Sequence, residues 1–107
     1  MTLNEYQKLA QRTSPDGHDK LLMGAIGMCG EAGEFIDIVK KVRFQGHLLD
    51  TRKLIEELGD VLFYCAEAAV GLGITLEEAA QRNIEKLRRR YPDGFSVSQS
   101  MNREAGG

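Results

Sequence analysis

The 107-residue sequence predicts an all-α fold, an up-and-down four-helix bundle-type protomer that assembles as a homo-oligomer. Three observations predict the helices. Apolar side chains recur at spacings of three and four through long stretches, capping residues and Gly/Pro clusters punctuate those stretches, and no segment alternates as a strand would. The connections are short, so neighbouring helices should run antiparallel.

The first helix opens at Thr2 with Glu5 three residues on, a capping-box arrangement, and continues through Tyr6, Leu9 and Ala10. Ser14-Pro15-Asp16-Gly17 is turn chemistry, because proline presets one backbone angle and glycine permits the other. A second helix is expected from about Asp19 to Arg43, with Leu22, Met23, Ile26, Phe35, Ile38, Val39 and Val42 as its buried stripe. Phe44-Gln45-Gly46-His47 ends it. Asp50 or Thr51 caps a third helix carrying Leu54, Leu58, Val61, Leu62, Cys65, Ala69 and Val70, and Gly71-Leu72-Gly73 stops it. Thr75 with Glu78 forms a second capping box. It opens a fourth helix through Leu76, Ala79, Ala80, Ile84 and Leu87, which ends before Pro92-Asp93-Gly94. One domain over residues 1–95 is expected, followed by a polar, loosely held tail over 96–107.

Composition excludes several function classes. The balance of 14 basic against 16 acidic side chains offers no electrostatic footprint for nucleic acid. No basic-then-apolar leader and no membrane-length apolar run occurs, so no membrane partner is expected and a cytoplasmic location is the default. Cys29 and Cys65 lack metal-type spacing and read as reduced, small apolar residues.

Chemistry is concentrated in two short motifs, Glu31-Ala-Gly-Glu34 and Glu57-Leu-Gly-Asp60. Residues at i and i+3 are neighbours on a helix surface, so each motif presents two carboxylates on one face. If the two helices pack side by side, four carboxylates converge. Such a group repels itself and takes up protons unless a hard dication, Mg²⁺ or Mn²⁺, neutralises it. The bland alternative is a pair of solvated helix faces. Against it, both motifs abut glycine and interrupt segments dense in apolar side chains, and Glu56 adds a further acid beside the second motif.

Gly24, Gly27, Gly30 and Gly33 recur every third residue inside the second helix. Each costs about 1 kcal/mol relative to alanine, so the run sacrifices roughly 3 to 4 kcal/mol of local helix stability. Two compensations are open: close helix packing where side chains are missing, and room for a ligand beside the acids.

The ordered set of residues resembles the MazG-like all-α nucleoside triphosphate pyrophosphohydrolases, whose signature is Glu-x-x-Glu followed after a gap by Glu-x-x-Asp. The likeness extends to Gly30 through Glu34, Glu56 through Asp60, Asn83-Ile84-Glu85-Lys86-Leu87 and Arg90-Tyr91-Pro92-Asp93-Gly94-Phe95, and covers about residues 3–95. Gly30 stands where some members carry another acid. The resemblance implies a Mg²⁺-dependent enzyme that cleaves a (deoxy)nucleoside triphosphate between the α and β phosphorus atoms, releasing monophosphate and pyrophosphate and clearing surplus or non-standard nucleotides. It implies Glu31, Glu34, Glu57 and Asp60 as metal-binding and catalytic residues; one of these carboxylates, with Glu34 the candidate by its central place in its motif, could instead act as general base.

Phosphate contacts come from the same resemblance: Lys86 and Arg90, four residues apart, with Asn83 one turn earlier; Lys53, one turn before Glu57, is a further, lesser candidate. Without it, the basic end of the fourth helix reads only as favourable placement against the helix dipole. Lys40 and Lys41 read as solvated, His18 and His47 as surface residues, and Gln7 and Gln11 as a water-facing pair able to meet a base edge. A homodimer or homotetramer is expected, since helices of this length leave apolar faces, and Ala66, Ala68, Ala69 and Gly71 permit close packing of a second chain. Two rival readings stand: a non-catalytic nucleotide- or protein-binding module with a structural metal site, and an oligomerising interaction protein without a ligand.

Overall fold

The computed structural model describes residues 1–102, and all regular structure there is helical. The helices are α1 (Leu3–Gln11), α2 (Lys20–Phe44), α3 (Thr51–Leu72), α4 (Leu76–Arg90) and α5 (Val97–Met101). Their ends follow the capping chemistry. Thr2 and Glu5 form a reciprocal capping box on α1, Asp19 accepts the Leu22 N–H on α2, and Asp50 accepts the Lys53 N–H on α3. Gly73 closes α3 in the left-handed region at φ 73°, where a side chain would be strained. No single helix among the described residues is long and apolar enough to cross a membrane.

Contacts cluster in two compact units, Met1–Leu76 and a second that begins at Glu77. In the first, α2 and α3 form an antiparallel pair along most of their length, and α1 rests on α3. Glycines set the α2–α3 approach. A Cβ at Gly24 would strike the Ala68 backbone, one at Gly27 would strike the Tyr64 ring, and one at Gly71 would strike the Leu21 backbone. Leu21 therefore faces Gly71, Gly24 faces Ala68, and Gly27 faces Tyr64. Continuing that register places Glu31 opposite Asp60 and Glu34 opposite Glu57.

The core of this unit is made of Ala66, Ala69 and Leu76, with Tyr6, Cys65 and Ile74 packed against them. Gln7 belongs to this core and is not the water-facing residue its sequence position suggests. Its Nε2 donates to the Ile74 carbonyl at 3.0 Å and its Oε1 accepts the Leu76 N–H at 2.7 Å, so it ties α1 to the turn after α3.

The stripe expected to be buried along α2 is only partly so. Phe35, Ile38, Val39 and Val42 are half-buried, whereas Leu22 and Ile26 stand 54% and 57% exposed, as does Leu58 of α3 at 59%. Periodicity reports which side of a helix is apolar, not what covers it.

In the second unit Tyr91 and Phe95 pack their rings together at 5.4 Å beyond the end of α4. The polar stretch expected to be loosely held contains α5, capped by Ser96, whose hydroxyl accepts the Gln99 N–H. The rest of the expected tail, residues 103–107, lies outside the described residues.

Candidate active site

The α2–α3 register brings the two acidic motifs face to face. One carboxylate oxygen from each of Glu31, Glu57 and Asp60 lies within 4.8 Å of the other two, a spacing from which three oxygens can reach one cation. Glu34 is adjacent but turned aside. Its charge and a hydrogen bond act on Glu31, while its side chain lines a neighbouring cavity together with Glu57. The four acids thus divide into a convergent trio and one flanking carboxylate.

The electrostatics of the trio are unfavourable as it stands. Glu31 Oε2 and Glu57 Oε2 are shielded from solvent and no N–H or hydroxyl group donates to them. The Glu31 carboxyl is pushed up to about 7, first by its hydrogen bond to Glu57, then by desolvation, and further by Glu34 and the charge of Asp60. Two carboxylates can share a hydrogen bond only around a proton, so the site holds either a proton or a cation in its place. Shielded, donor-free oxygens on hard carboxylate ligands are what an Mg²⁺ or Mn²⁺ site presents, and these residues fit such an ion.

Beside the trio lies a cavity of about 410 Å³ whose walls include Gly30, Gly33, Glu34, Asp37, Lys41 and Lys53. Gly30, Glu34, Asp37 and Lys41 recur at helical spacing on α2 and form its wall. The glycine run divides here. Gly24 and Gly27 are required by packing, whereas a Cβ at Gly30, Gly33 or Gly59 would meet nothing within 4 Å. Both compensations read from the sequence are therefore present, at opposite ends of the run.

Lys53, expected to meet substrate, lines this cavity. Asn83, Lys86 and Arg90 lie on α4 in the second unit, where Lys86 and Arg90 are half-buried and the Arg90 Nε is shielded from solvent without a hydrogen-bond partner.

Lys41, read as solvated, belongs to the cavity wall, and its Nζ lies 2.9 Å from Asp37 Oδ2 while Lys40 holds Oδ1 at 3.2 Å. These bonds, Lys41 first, hold the Asp37 carboxyl below its ordinary range. The signal was present in the sequence: Lys41 sits two helical turns beyond Glu34, on its face. Tyr6 of α1 is a second residue missed by motif reading. Burial first, then the nearby charges of Asp60 and Cys65, push its phenol up.

A separate polar cluster surrounds Glu67, which is 2% exposed. Its carboxylate accepts Ser14 Oγ at 2.6 Å and Gln11 Nε2 at 3.4 Å, and lies 3.3 Å from His18 Nε2 and 4.0 Å from Lys20 Nζ. Burial pushes Glu67 up, but the hydrogen bonds from Ser14, His18 and Gln11 with the Lys20 charge outweigh it and hold the carboxyl below its ordinary range. His18 and Gln11, read as surface residues, are therefore pinned to α3, and this network anchors the α1–α2 connection.

Comparison with known proteins agrees with the residue pattern. The profile of the MazG nucleotide pyrophosphohydrolase domain matches residues 22–95, which include both acidic motifs and α4. The chain is also 35% identical over 92 residues to the Gene 37 protein of Mycobacterium phage L5, covering 82% of this chain and 81% of the relative. No solved structure matches it. An all-helical chain with paired acidic motifs facing across α2 and α3, matched over most of its length by that profile, belongs to the MazG nucleotide pyrophosphohydrolase domain family.

Proposed function

We propose that the protein is a Mg²⁺-dependent nucleotide pyrophosphohydrolase that cleaves (deoxy)nucleoside triphosphates between the α and β phosphorus atoms and serves nucleotide-pool house-cleaning. The observation that carries this reading is the donor-free trio of Glu31, Glu57 and Asp60 beside a cavity that combines Glu34 with Lys41 and Lys53. Carboxylates alone would repel a triphosphate, and lysines alone would not explain why shielded acids are kept together.

In this reading Glu31, Glu57 and Asp60 would hold the cation, and Glu34 flanks that trio. A bound Mg²⁺ offsets the charge on phosphate oxygens and makes nearby water more acidic. Glu34, outside the trio, orients the attacking water and accepts its proton. The water oxygen forms a bond to the α phosphorus, the bond from that phosphorus to the α–β bridging oxygen breaks, and pyrophosphate leaves with that electron pair. Lys53 supplies positive charge from α3, and the family resemblance adds Asn83, Lys86 and Arg90 of α4 as phosphate-contact residues. Such chemistry demands positioning and charge stabilisation, without a covalent nucleophile.

The exposed Leu22, Ile26 and Leu58 support a homodimer or homotetramer, since a second copy would remove this apolar surface from water. Sedimentation of the purified chain distinguishes these states from a monomer.

The experiment is incubation with a panel of canonical and modified nucleoside triphosphates and Mg²⁺, with products separated by chromatography. Monophosphate and pyrophosphate, lost in Glu34→Gln and Asp60→Asn, are the expected result. No turnover of any triphosphate by a folded protein would favour a binding module with a structural metal site.

A further inference from the structure

The cavity beside the acids shares Ile38, Lys41 and Lys53 with a second cavity of about 250 Å³ that reaches His47 and Asp50 at the α2–α3 connection. Lys41 and Lys53 therefore stand at the junction of a groove that begins at Glu34 and Glu57 and runs away from the acids. Lys53 is fixed near the start of α3 by the Asp50 cap on its N–H. Lys41 is held from its own helix by Asp37.

That hold is exchangeable. An i,i+4 ion pair on a partly exposed helix face is weak, and both partners are more than 40% exposed, at 42% and 44%. Asp37 keeps Lys40 on its other oxygen, so Lys41 can leave without stranding a bare carboxylate. Lys40 lines neither cavity. Nearer the acids the same α2 wall, at Gly30 and Gly33, is bare backbone with open space in front of it. Ile38, Val42 and Leu48 and the carboxylates of Asp37 and Asp50 complete the lining, and Lys41 and Lys53 are the two lysines in it that a phosphate group could meet.

We propose that this groove seats the pyrophosphate that departs, the β and γ phosphates of the substrate, and that Lys41 is a binding residue for it, trading Asp37 for a phosphate oxygen. The inference rests on the pyrophosphohydrolase reading for its place in the reaction, but its ligand chemistry is testable alone.

The test is calorimetric titration of the full chain with inorganic pyrophosphate in saturating Mg²⁺, for the wild type, Lys41→Ala, Lys41→Gln and Lys40→Ala. Loss of one charge-assisted contact should weaken binding about tenfold in both Lys41 variants, with Lys40→Ala within about twofold and Mg²⁺ binding alone unchanged in all. Lys41→Gln keeps most of the stem, so it separates lost charge from lost packing. Equal binding by wild type and Lys41→Gln, an equal loss in Lys40→Ala, or no pyrophosphate binding by the wild type would overturn the proposal. A wild type that binds pyrophosphate through Lys41 yet hydrolyses no triphosphate would overturn the activity and leave the binding site standing.

Discussion

The aromatic ring of Tyr64 occupies the space a Cβ on residue 27 would need, so Gly27 sets how closely α2 approaches α3. Gly24 against Ala68 and Gly71 against Leu21 repeat the arrangement on either side. Together they fix the register that carries Glu31 to Asp60.

Substitutions along the glycine run should therefore have opposite signs. Gly27→Ala forces the Tyr64 ring or the helices apart and should cost about 1–3 kcal/mol. Gly30→Ala and Gly33→Ala meet open space and gain helix propensity, so each should stabilise by up to about 1 kcal/mol. Urea unfolding of the three variants checks this; equal destabilisation by all of them would refute the division of the run.

If the acid trio holds Mg²⁺ as proposed, the ion should raise the melting temperature, because a ligand of the folded state that does not bind the unfolded chain stabilises the fold. Glu31 is raised from its ordinary 4.5 to about 7, so without metal its contribution is most favourable below 4.5 and declines as pH rises through about 7. In chelator, stability should fall across that window. Added Mg²⁺ should stabilise more at pH 8 than at pH 5.5, where a proton competes for Glu31. Scanning fluorimetry across this range, with Glu31→Gln as the variant that flattens the metal-free profile, makes the comparison.

Glu67 behaves in the opposite sense. Its folded value lies below the ordinary 4.5, so its stabilising contribution is complete above 4.5 and is lost as pH falls through the lower, folded value. Glu67→Ala leaves Ser14, Gln11 and His18 without their shared partner and Lys20 without its counter-charge, and should cost about 2–4 kcal/mol near neutral pH. Acid titration followed by circular dichroism should show a correspondingly smaller loss of stability below pH 4.5 in Glu67→Gln than in the wild type.

Gln7→Ala removes two hydrogen bonds and leaves the Ile74 carbonyl and the buried Leu76 N–H without that side chain. A cost of about 2–4 kcal/mol follows from one or two stranded backbone groups. A loss below about 0.5 kcal/mol in denaturant unfolding would show that water replaces the amide without penalty.

Local structure was legible in the sequence because its causes are local. Thr2 with Glu5, Asp50 and Gly73 act on backbone groups within a turn of themselves, and each does so in the structure. The pairing of acids one helical turn apart is equally local, which is why both motifs could be read as chemistry before any contact between them was known. Helical spacing also placed Lys41 on the face of Glu34, although charge alone made it look solvated.

Relations between helices depended on tertiary structure, because periodicity marks a face without naming its neighbour. The α2–α3 register decided that Glu31, Glu57 and Asp60 converge while Glu34 turns into the adjoining cavity. It divided one glycine run into a packed end and an open end. The approach of α1 and its following loop to α3 made Gln7 a core residue and Glu67 the centre of a buried network. The sequence by itself determined the helices, their caps and the acidic chemistry; the packing distance and register between helices decided which of those groups meet.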